Sequence, residues 1–595
     1  MPTGTSAAGA TLTDMVTSPA RRRSYEDRGL WTGDTLIARV AGHAARQPHG
    51  LAVVDRGGSR RATWAQLHRD AEAVATALRR MGVQPGDVVS VQLPNTYETV
   101  VCDLAALSVP AVLNPLLPNY RARELTHVFA TARPRVIFTP GVAGIGGIGG
   151  GSGVDGTGGP DYRALVTGAR EAAGSDTRHV VVGHGIGDGG GAGDGHGHGE
   201  EDGGDDGATL AGLMATTPDE PPPGARGPRG SGHGSDARAV SELIFTSGTE
   251  ATPKPIMHTE QTANFSVRAA QVALGVAAGD VVWMPSPIGH STGLNFGVRM
   301  ALYFGLPLVL QERWDPEEAA RLIESERCAY TLAATTFLKD LLGAAGGRDL
   351  RSMRHFGCGG APVPPELVDE GDRRGLGVLR LYGSTEALVA TWNRPGSPAA
   401  KRRHTDGFPL GDIEVAIRDD EGRAVPGGEA GELHVRGPDT CVGFFADPDR
   451  TAATFLPDGW VRSGDLCTVD GDGYLTVVGR KKEIIIRGGM NIAPREVEDL
   501  LTRFTEVDRA AVVGVPDDRL GERSCACLVL AAGRTLDLET VVARLRAEGL
   551  ASYKLPEQLH LVDTLPTTAS GKVQKHELVR RVIDAGAGTD AGAGA

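Results

Sequence analysis

The sequence predicts an α/β protein with a large, multi-subdomain N-terminal domain of α/β layers plus a β-rich piece, and a small mobile α+β C-terminal domain. Three observations predict it. Strand and helix signals alternate through the first part of the chain, which argues for α/β layers. A turn-rich stretch at about 407–478 carries Asp419-Asp-Glu-Gly422 and Asp470-Gly-Asp-Gly473, which suit hairpin turns. From Lys481 a fresh pattern begins, with strands at Ala511–Val515 and Ser524–Leu530 and a helix at Leu538–Glu548. At 595 residues with 40% hydrophobic content, the chain can bury a sizeable core and divide into domains.

Taken in order, residues 1–24 are small and polar and are expected to be unstructured. Thr63-Trp-Ala-Gln66 reads as a capping box, and Leu67, Ala71, Val74, Leu78 and Met81 follow at helical spacing. Gly82 suits the position after the helix end, and Pro85-Gly-Asp87 turns the chain into a strand at Val88–Leu93. Further strands are expected at Arg135–Thr139 and His179–Val182. Two low-complexity insertions, 141–160 and 183–236, hold little that can be buried, so conformational entropy predicts disorder. His184, His196, His198 and His233 lie in the second with nearby aspartates, but a metal site needs a scaffold that such a segment does not offer. The tail from 585 to 595 is Gly/Ala-rich and is also expected to be disordered. The domains are therefore 25–480 and 481–584.

Net charge is −13, and seven carboxylates between Asp188 and Asp206 supply much of it, so no basic face for nucleic acid is expected. No apolar run approaches the roughly 18 residues of a membrane span, and no apolar core follows Arg21-Arg22-Arg23 to make a secretory signal. The seven cysteines form no CxxC and no regular frame, which points to a reduced, cytoplasmic protein. Cys525 and Cys527 are expected on opposite faces of an apolar strand.

The densest chemical signal is Leu243-Ile-Phe-Thr-Ser-Gly-Thr-Glu-Ala-Thr-Pro-Lys-Pro-Ile-Met-His258. An apolar strand opens into Thr246, Ser247, Gly248 and Thr249, whose hydroxyls and backbone N–H groups can line a phosphate. Lys254 follows within reach of the same anion. No Gly-Lys-Ser/Thr closes the loop, so it is not a Walker sequence. Downstream stand Phe356-Gly-Cys-Gly-Gly-Ala361, Leu381-Tyr-Gly-Ser-Thr-Glu386, Ser463-Gly-Asp-Leu466, Gly479-Arg-Lys-Lys-Glu-Ile-Ile-Ile-Arg-Gly-Gly-Met-Asn-Ile492 and Pro566-Thr-Thr-Ala-Ser-Gly-Lys572. In this order and spacing the set resembles the acyl-adenylate-forming ligases, over roughly residues 25–140 and 235–580. That superfamily includes acyl-CoA synthetases, aryl-acid ligases, adenylation domains of peptide synthetases and firefly luciferase.

The resemblance implies two half-reactions. A carboxylate attacks the α-phosphorus of ATP and expels pyrophosphate, and a thiol then displaces AMP from the acyl-adenylate. It places Thr246, Ser247, Gly248, Thr249 and Lys254 on the leaving phosphates, with Thr385 near the α-phosphate and Glu386 on Mg²⁺. Tyr382 is placed on the adenine, with Gly359, Gly360 and Ala361 letting the base approach the backbone. Asp465 and Arg480 are placed on the ribose, Lys572 at the reacting carboxylate, and His290 at the acyl pocket. Lys482 is the implied hinge between half-reactions, and Gly488 and Gly489 the lining of a pantetheine tunnel. The chain departs from the family at Ala251 and Pro255, where glycine is usual, and at Glu483, where aspartate is usual. Ala gives up freedom at positive φ, and Pro removes a backbone donor.

Gly289-His-Ser-Thr-Gly293, Cys358-Gly-Gly-Ala-Pro-Val-Pro364, His404-Thr-Asp-Gly407 and Leu520-Gly-Glu-Arg-Ser-Cys525 are similar to medium-chain fatty-acid and cyclohexanecarboxylate CoA ligases. Gly549-Leu-Ala-Ser-Tyr-Lys-Leu-Pro556 also resembles aryl-acid AMP ligases. The expected substrate is a small or medium-chain apolar carboxylic acid and the expected acceptor is CoA. An acyl or peptidyl carrier protein is the alternative acceptor, and a nucleotide-binding protein without turnover is the third reading.

Overall fold

A computed structural model describes residues 16–141, 161–182, 208–215, 236–246, 253–488, 490–517, 519–568 and 572–590. Among them four sheets organise the chain. The largest has nine strands, and its centre is a parallel run made by Val378–Ser384, His355–Cys358, Cys328–Ala333, Val281–Met284, Leu308–Leu310 and Leu51–Asp55. Strands buried on both faces should be continuously apolar, and Cys328–Ala333 is buried at every residue. A six-stranded sheet begins at Arg178–Val182 and ends with the antiparallel pair Val240–Thr246 and Lys254–Thr259. Pro255 is the second residue of that edge strand, a position where a missing ladder donor is tolerated. The β-rich piece is an antiparallel four-stranded sheet from Glu414 to Arg480.

The small domain follows. A 3₁₀ turn, Lys481–Glu483, leads from the four-stranded sheet into a five-stranded one around the long hairpin Val507–Asp517 and Gly521–Leu530. The helix Trp64–Arg80 has its Thr63/Gln66 capping box, and Gly82 takes φ +81° just beyond it.

Four expectations need correction. The N-terminus is ordered before residue 24: Ser18 caps a helix Pro19–Asp27, and buried Tyr25 anchors it against Trp31 with ring centroids 5.0 Å apart. A Ser-Pro start is a helix signal that overall polarity obscured. Within 183–236, Thr209 caps a short helix Leu210–Met214 whose Leu210 and Leu213 enter the core. Residues 183–207 and 216–235, with the four histidines, and 142–160 lie outside the described residues. The final helix, Lys575–Asp590, continues past residue 585, since alanine sustains a helix that the glycines weaken. Cys525 and Cys527 share one face of their strand and one cluster of core residues, because a spacing of two returns to the same side.

Candidate active site

A cavity opens at the carboxyl ends of four parallel strands of the nine-stranded sheet, where α/β folds place their ligands. Each strand delivers its next residues to the wall: Ser286 and Pro287 after Val281–Met284, Ala334 after Cys328–Ala333, Gly359 and Gly360 after His355–Cys358, and Thr385 after Val378–Ser384. Apolar side chains, among them Phe296, Leu332, Phe337, Leu388 and Val389, make up much of the rest. Lys572 enters from the small domain and is the one lysine or arginine among the lining residues.

The glycines are needed for close approach. A Cβ at Gly359 would come within 2.7 Å of the Leu381 carbonyl oxygen, and Gly360 has φ +79° with its missing Cβ 3.5 Å from Lys572 Cε. Ala361 accepts a long hydrogen bond from Thr335 Oγ1 at 3.5 Å. Lys572 is held by its own loop, its N–H donating to Thr568 Oγ1 at 3.1 Å and its carbonyl accepting from Thr568 N–H at 2.7 Å. Burial and then the Arg480 charge lower its pKa below the ordinary lysine value, against the pull of Asp465, Glu386 and Glu483.

His290 caps the short helix Ser291–Gly293, accepting the Thr292 N–H on Nδ1 at 3.2 Å. That acceptor role leaves Nε2 as the protonated nitrogen of a neutral ring. Burial, then the Lys572 charge, depresses its pKa to about 4, so the ring is neutral at pH 7.

Asp465 and Arg480 are directly opposite across neighbouring antiparallel strands. Arg480 Nε stands 2.8 Å from Asp465 Oδ1, and the Tyr382 hydroxyl donates to Oδ2 at 2.7 Å. Asp465 raises the Arg480 pKa, and burial, then Asp465, raises that of Tyr382. The Tyr382 ring is packed into the core, so the structure gives its hydroxyl a role that sequence reading missed.

Thr385 and Glu386 sit in the hairpin after Val378–Ser384. The Thr385 carbonyl accepts from His258 Nε2 at 2.7 Å, and the Glu386 carbonyl accepts the Cys441 N–H at 2.7 Å. Sequence reading ended its phosphate stretch at His258 without giving it a role; its contact spans 127 positions and left no local signal. The Glu386 carboxylate enters no ion pair among the described residues, yet its charge acts on both Lys572 and Arg480. Thr246 and Lys254 are cross-strand partners that frame the phosphate stretch; Ser247, Gly248 and Thr249 lie outside the described residues. Lys482 lies in the 3₁₀ turn. Gly488, at φ +56°, turns the hairpin Ile485–Arg487/Met490–Ile492, and Gly489 is outside the described residues.

Two charged contacts left no sequence signal either: Lys575 with Glu483 and Glu498, and Lys339 of the large domain with Asp508 of the small one. Leu388 was also missed. It lines the cavity at φ +43°, a conformation that costs a leucine energy.

Two family models match the chain, one described as AMP-binding enzyme over residues 40–445 and the other as AMP-binding enzyme C-terminal domain over 496–572. The chain is 35% identical to a medium-chain fatty-acid–CoA ligase of Escherichia coli over 95% of its own length and 93% of the relative's. It is 32% identical to a salicyl-AMP ligase / salicyl-S-ArCP synthetase of Mycobacterium tuberculosis, over 94% and 93%. Among solved structures, ATP-bound MatB from Rhodopseudomonas palustris superposes with a TM-score of 0.76 at 25% identity, covering 92% of this chain and 99% of that one. With a large α/β domain whose sheet ends form the cavity and a small domain that delivers a lysine to it, this chain belongs to the AMP-binding enzyme family.

Proposed function

We propose that this protein is an AMP-forming acid–thiol ligase that activates a small or medium-chain apolar carboxylic acid with ATP and transfers the acyl group to CoA. The observation that carries this reading is Lys572, the one cationic side chain lining a cavity with a strongly apolar side, together with Thr385, Gly360 and neutral His290. An apolar tail fits the Phe296, Leu332 and Phe337 side, while the carboxylate meets the single ammonium.

In the first half-reaction a carboxylate oxygen attacks the α-phosphorus and the bond to pyrophosphate breaks. Catalysis is positioning plus neutralisation of charge. Lys572 draws the carboxylate and α-phosphate together; at about 4 Å, opposite charges gain about 4 kcal/mol at an effective dielectric of 20. His290, uncharged, offers its Nε2–H as a donor without competing for the anion. Asp465 keeps lone pairs for the ribose hydroxyls after binding Tyr382 and Arg480, since a carboxylate has about four acceptor sites. Thr246 and Lys254, with Ser247, Gly248 and Thr249, receive the leaving phosphates. Tyr382, besides holding Asp465, is proposed to flank the adenine with Gly359, Gly360 and Ala361.

Glu386 fits a Mg²⁺ ion, being an oxygen donor without an ion-pair partner among the described residues, and Mg²⁺ commonly takes one carboxylate plus phosphate oxygens. When bound, the ion neutralises phosphate charge. In the second half-reaction the small domain turns at Lys482, bringing Gly488 and Gly489 to the path of the thiol. The sulfur attacks the acyl carbon and AMP leaves. The seven cysteines are buried and unpaired, which suits the cytoplasm. Among the described residues no helix is long and apolar enough to cross a membrane.

Acid-dependent ATP–pyrophosphate exchange across a panel of acids tests the first half. Exchange should peak with apolar monocarboxylates; none with any acid would sink the reading. A second reading, transfer to a carrier-protein phosphopantetheine, is favoured by the run at 549–556 and by the salicyl-S-ArCP synthetase relative. Acid-dependent consumption of free CoA supports CoA as acceptor, and acylation of a holo-carrier with CoA untouched supports the carrier.

A further inference from the structure

Away from the cavity, three charged side chains meet inside the small domain. Lys575 Nζ lies 2.8 Å from Glu498 Oε1 and 3.0 Å from Glu483 Oε2, with side-chain exposures of 19%, 12% and 24%. Glu498 is on the helix Pro494–Leu501, and its Oε1 also accepts the Val512 N–H at 2.8 Å, which pins it to the long hairpin. Glu483 closes the 3₁₀ turn Lys481–Glu483, directly after the sheet that carries Arg480. Lys575 begins the last helix, three residues after Lys572.

The chain between is tied back on itself. Thr567 and Val573 form a bridge, Thr568 and Lys572 exchange hydrogen bonds, and the Gln574 N–H donates to Pro566 C=O at 2.8 Å. Lys572 therefore rides a closed loop whose outgoing end is fastened, through one ammonium, to the turn after the large domain and to the small domain's interior. Burial works against the Lys575 charge, and Glu498 and Glu483 outweigh it, keeping its pKa above the ordinary lysine value. Glu483 also favours the charged form of Lys572, the smallest of the influences on it, so the carboxylate that pairs with Lys575 acts on both lysines.

A buried ion cluster need not stabilise a fold, because desolvation offsets much of the attraction; its best-attested use is to fix one arrangement among several. Here the arrangement it fixes is the distance between the turn and the Lys572 loop. We propose that Lys575 is a positioning residue for adenylation: by bridging Glu483 and Glu498 it joins the turn at 481–483 and the Lys572 loop into one body, so that rotation at the turn delivers Lys572 to the cavity in register. This rests on the reading of Lys572 as the adenylation lysine.

The test compares Lys575→Gln with Lys575→Arg in the full chain. Lys575→Gln should cut kcat of acid-dependent pyrophosphate exchange at least tenfold with KM for ATP changed less than twofold. Thioester formation from synthetic acyl-adenylate and CoA should stay within threefold, and Lys575→Arg should restore exchange to within threefold of the parent. Independently of activity, hydrogen exchange at the amides of Thr568, Lys572 and Gln574 should quicken at least tenfold in Lys575→Gln, while the strand Gly521–Leu530 keeps its protection. Equal loss of both half-reactions, loosening of the whole small domain, or no rescue by arginine would show a merely structural lysine and overturn the proposal. Unchanged amide protection with normal exchange would also overturn it. A parent protein with no acid-dependent exchange, whose Lys575→Gln variant still loosens only those three amides, would fail the functional reading and leave the strap standing.

Discussion

Asp465 and Arg480 stand opposite one another on adjacent strands, 2.8 Å apart at Oδ1 and Nε, and the Tyr382 hydroxyl closes the other side of the carboxylate at 2.7 Å. A carboxylate held on both sides presents its remaining lone pairs in fixed directions. Such pre-organisation is what a bidentate contact to two ribose hydroxyls requires. Asp465→Asn should therefore raise KM for ATP at least about tenfold, since hydrogen bonds to charged groups are worth about 1.5–3 kcal/mol. Tyr382→Phe removes one orienting bond and should raise it roughly two- to tenfold, in keeping with about 0.5–1.5 kcal/mol. Exchange kinetics at varied ATP check both. A Tyr382→Phe penalty larger than that of Asp465→Asn would mean the tyrosine, not the aspartate, is the ribose contact.

Lys572 is the only cation that the small domain sends into the cavity among the described residues. Lys572→Ala should lower pyrophosphate exchange at least about a thousandfold, in line with the roughly 4 kcal/mol available to an ion pair at that range. The same variant should still turn synthetic acyl-adenylate and CoA into thioester. A matching melting temperature would establish that it folds. Near-normal exchange, or failure of both halves, would remove Lys572 from its assigned step.

The same lysine sets an alkaline limit. Its pKa is lowered by burial and then by Arg480, so the free enzyme loses this charge as pH rises, before an ordinary lysine at about 10.4 would. The profile of kcat/KM for exchange should fall on the alkaline side below that value. Lys572→Arg, with a guanidinium that stays charged, should lose that limb whatever its absolute rate. An alkaline limb identical in the arginine variant would assign it to another group.

His290 gives the opposite end of the pH scale. Its pKa is about 4 in the folded chain against about 6.5 when exposed, so on acidification the unfolded state takes up the proton first. The contribution of neutral His290 to stability is full above pH 6.5 and is lost as pH falls from there toward 4. Thermal melts should show a shallower decline across that window for His290→Asn than for the parent. His43, His258, His355 and His434, also lowered by burial, keep the remainder of the slope. An unchanged slope would mean that His290 is hydrated in the folded state.

What could be read from the sequence followed from how local each feature is. The Thr63 capping box, the turn at Gly82 and the run from Leu381 to Glu386 are written in adjacent residues; the first two take the expected structure, and the third is found at the end of a strand and in the hairpin after it. Asp465 and Arg480 were paired only through the family resemblance, which places both on the ribose; that neighbouring strands set them directly opposite is what the structure adds. Contacts across long separations were not: His258 on Thr385 and Lys575 on Glu483 depend on which sheets and helices meet, and each residue alone reads as an ordinary polar position. The helix Pro19–Asp27 was missed for another reason. Its Ser18-Pro19 start is local, but what holds it down is a buried aromatic, Tyr25, and the pairing of Glu26 with distant Arg238, not bulk composition.

Lys339 and Asp508 provide a contact between the domains that can be tested by exchange of charge. Lys339 Nζ lies 2.7 Å from Asp508 Oδ1 and 2.9 Å from its carbonyl oxygen, joining the helix Thr335–Ala344 to the strand Val507–Asp517. The side chains are 47% and 45% exposed, so water screens the pair and it is worth about 0.2–1 kcal/mol. A shift of that size in favour of the orientation with Lys572 in the cavity is roughly 1.4- to 5-fold in population. Lys339→Glu should slow pyrophosphate exchange up to about fivefold, more at low salt than at high, and should not slow thioester formation from synthetic acyl-adenylate. Adding Asp508→Lys restores the attraction with reversed signs, so the double variant should recover most of the lost exchange. The interaction energy from the four proteins isolates the pair from each residue's other contacts. A double variant no better than the sum of its parts would show that the two charges are neighbours without coupling, and a loss beyond about tenfold in Lys339→Glu would show damage to the cavity helix rather than a shift in orientation.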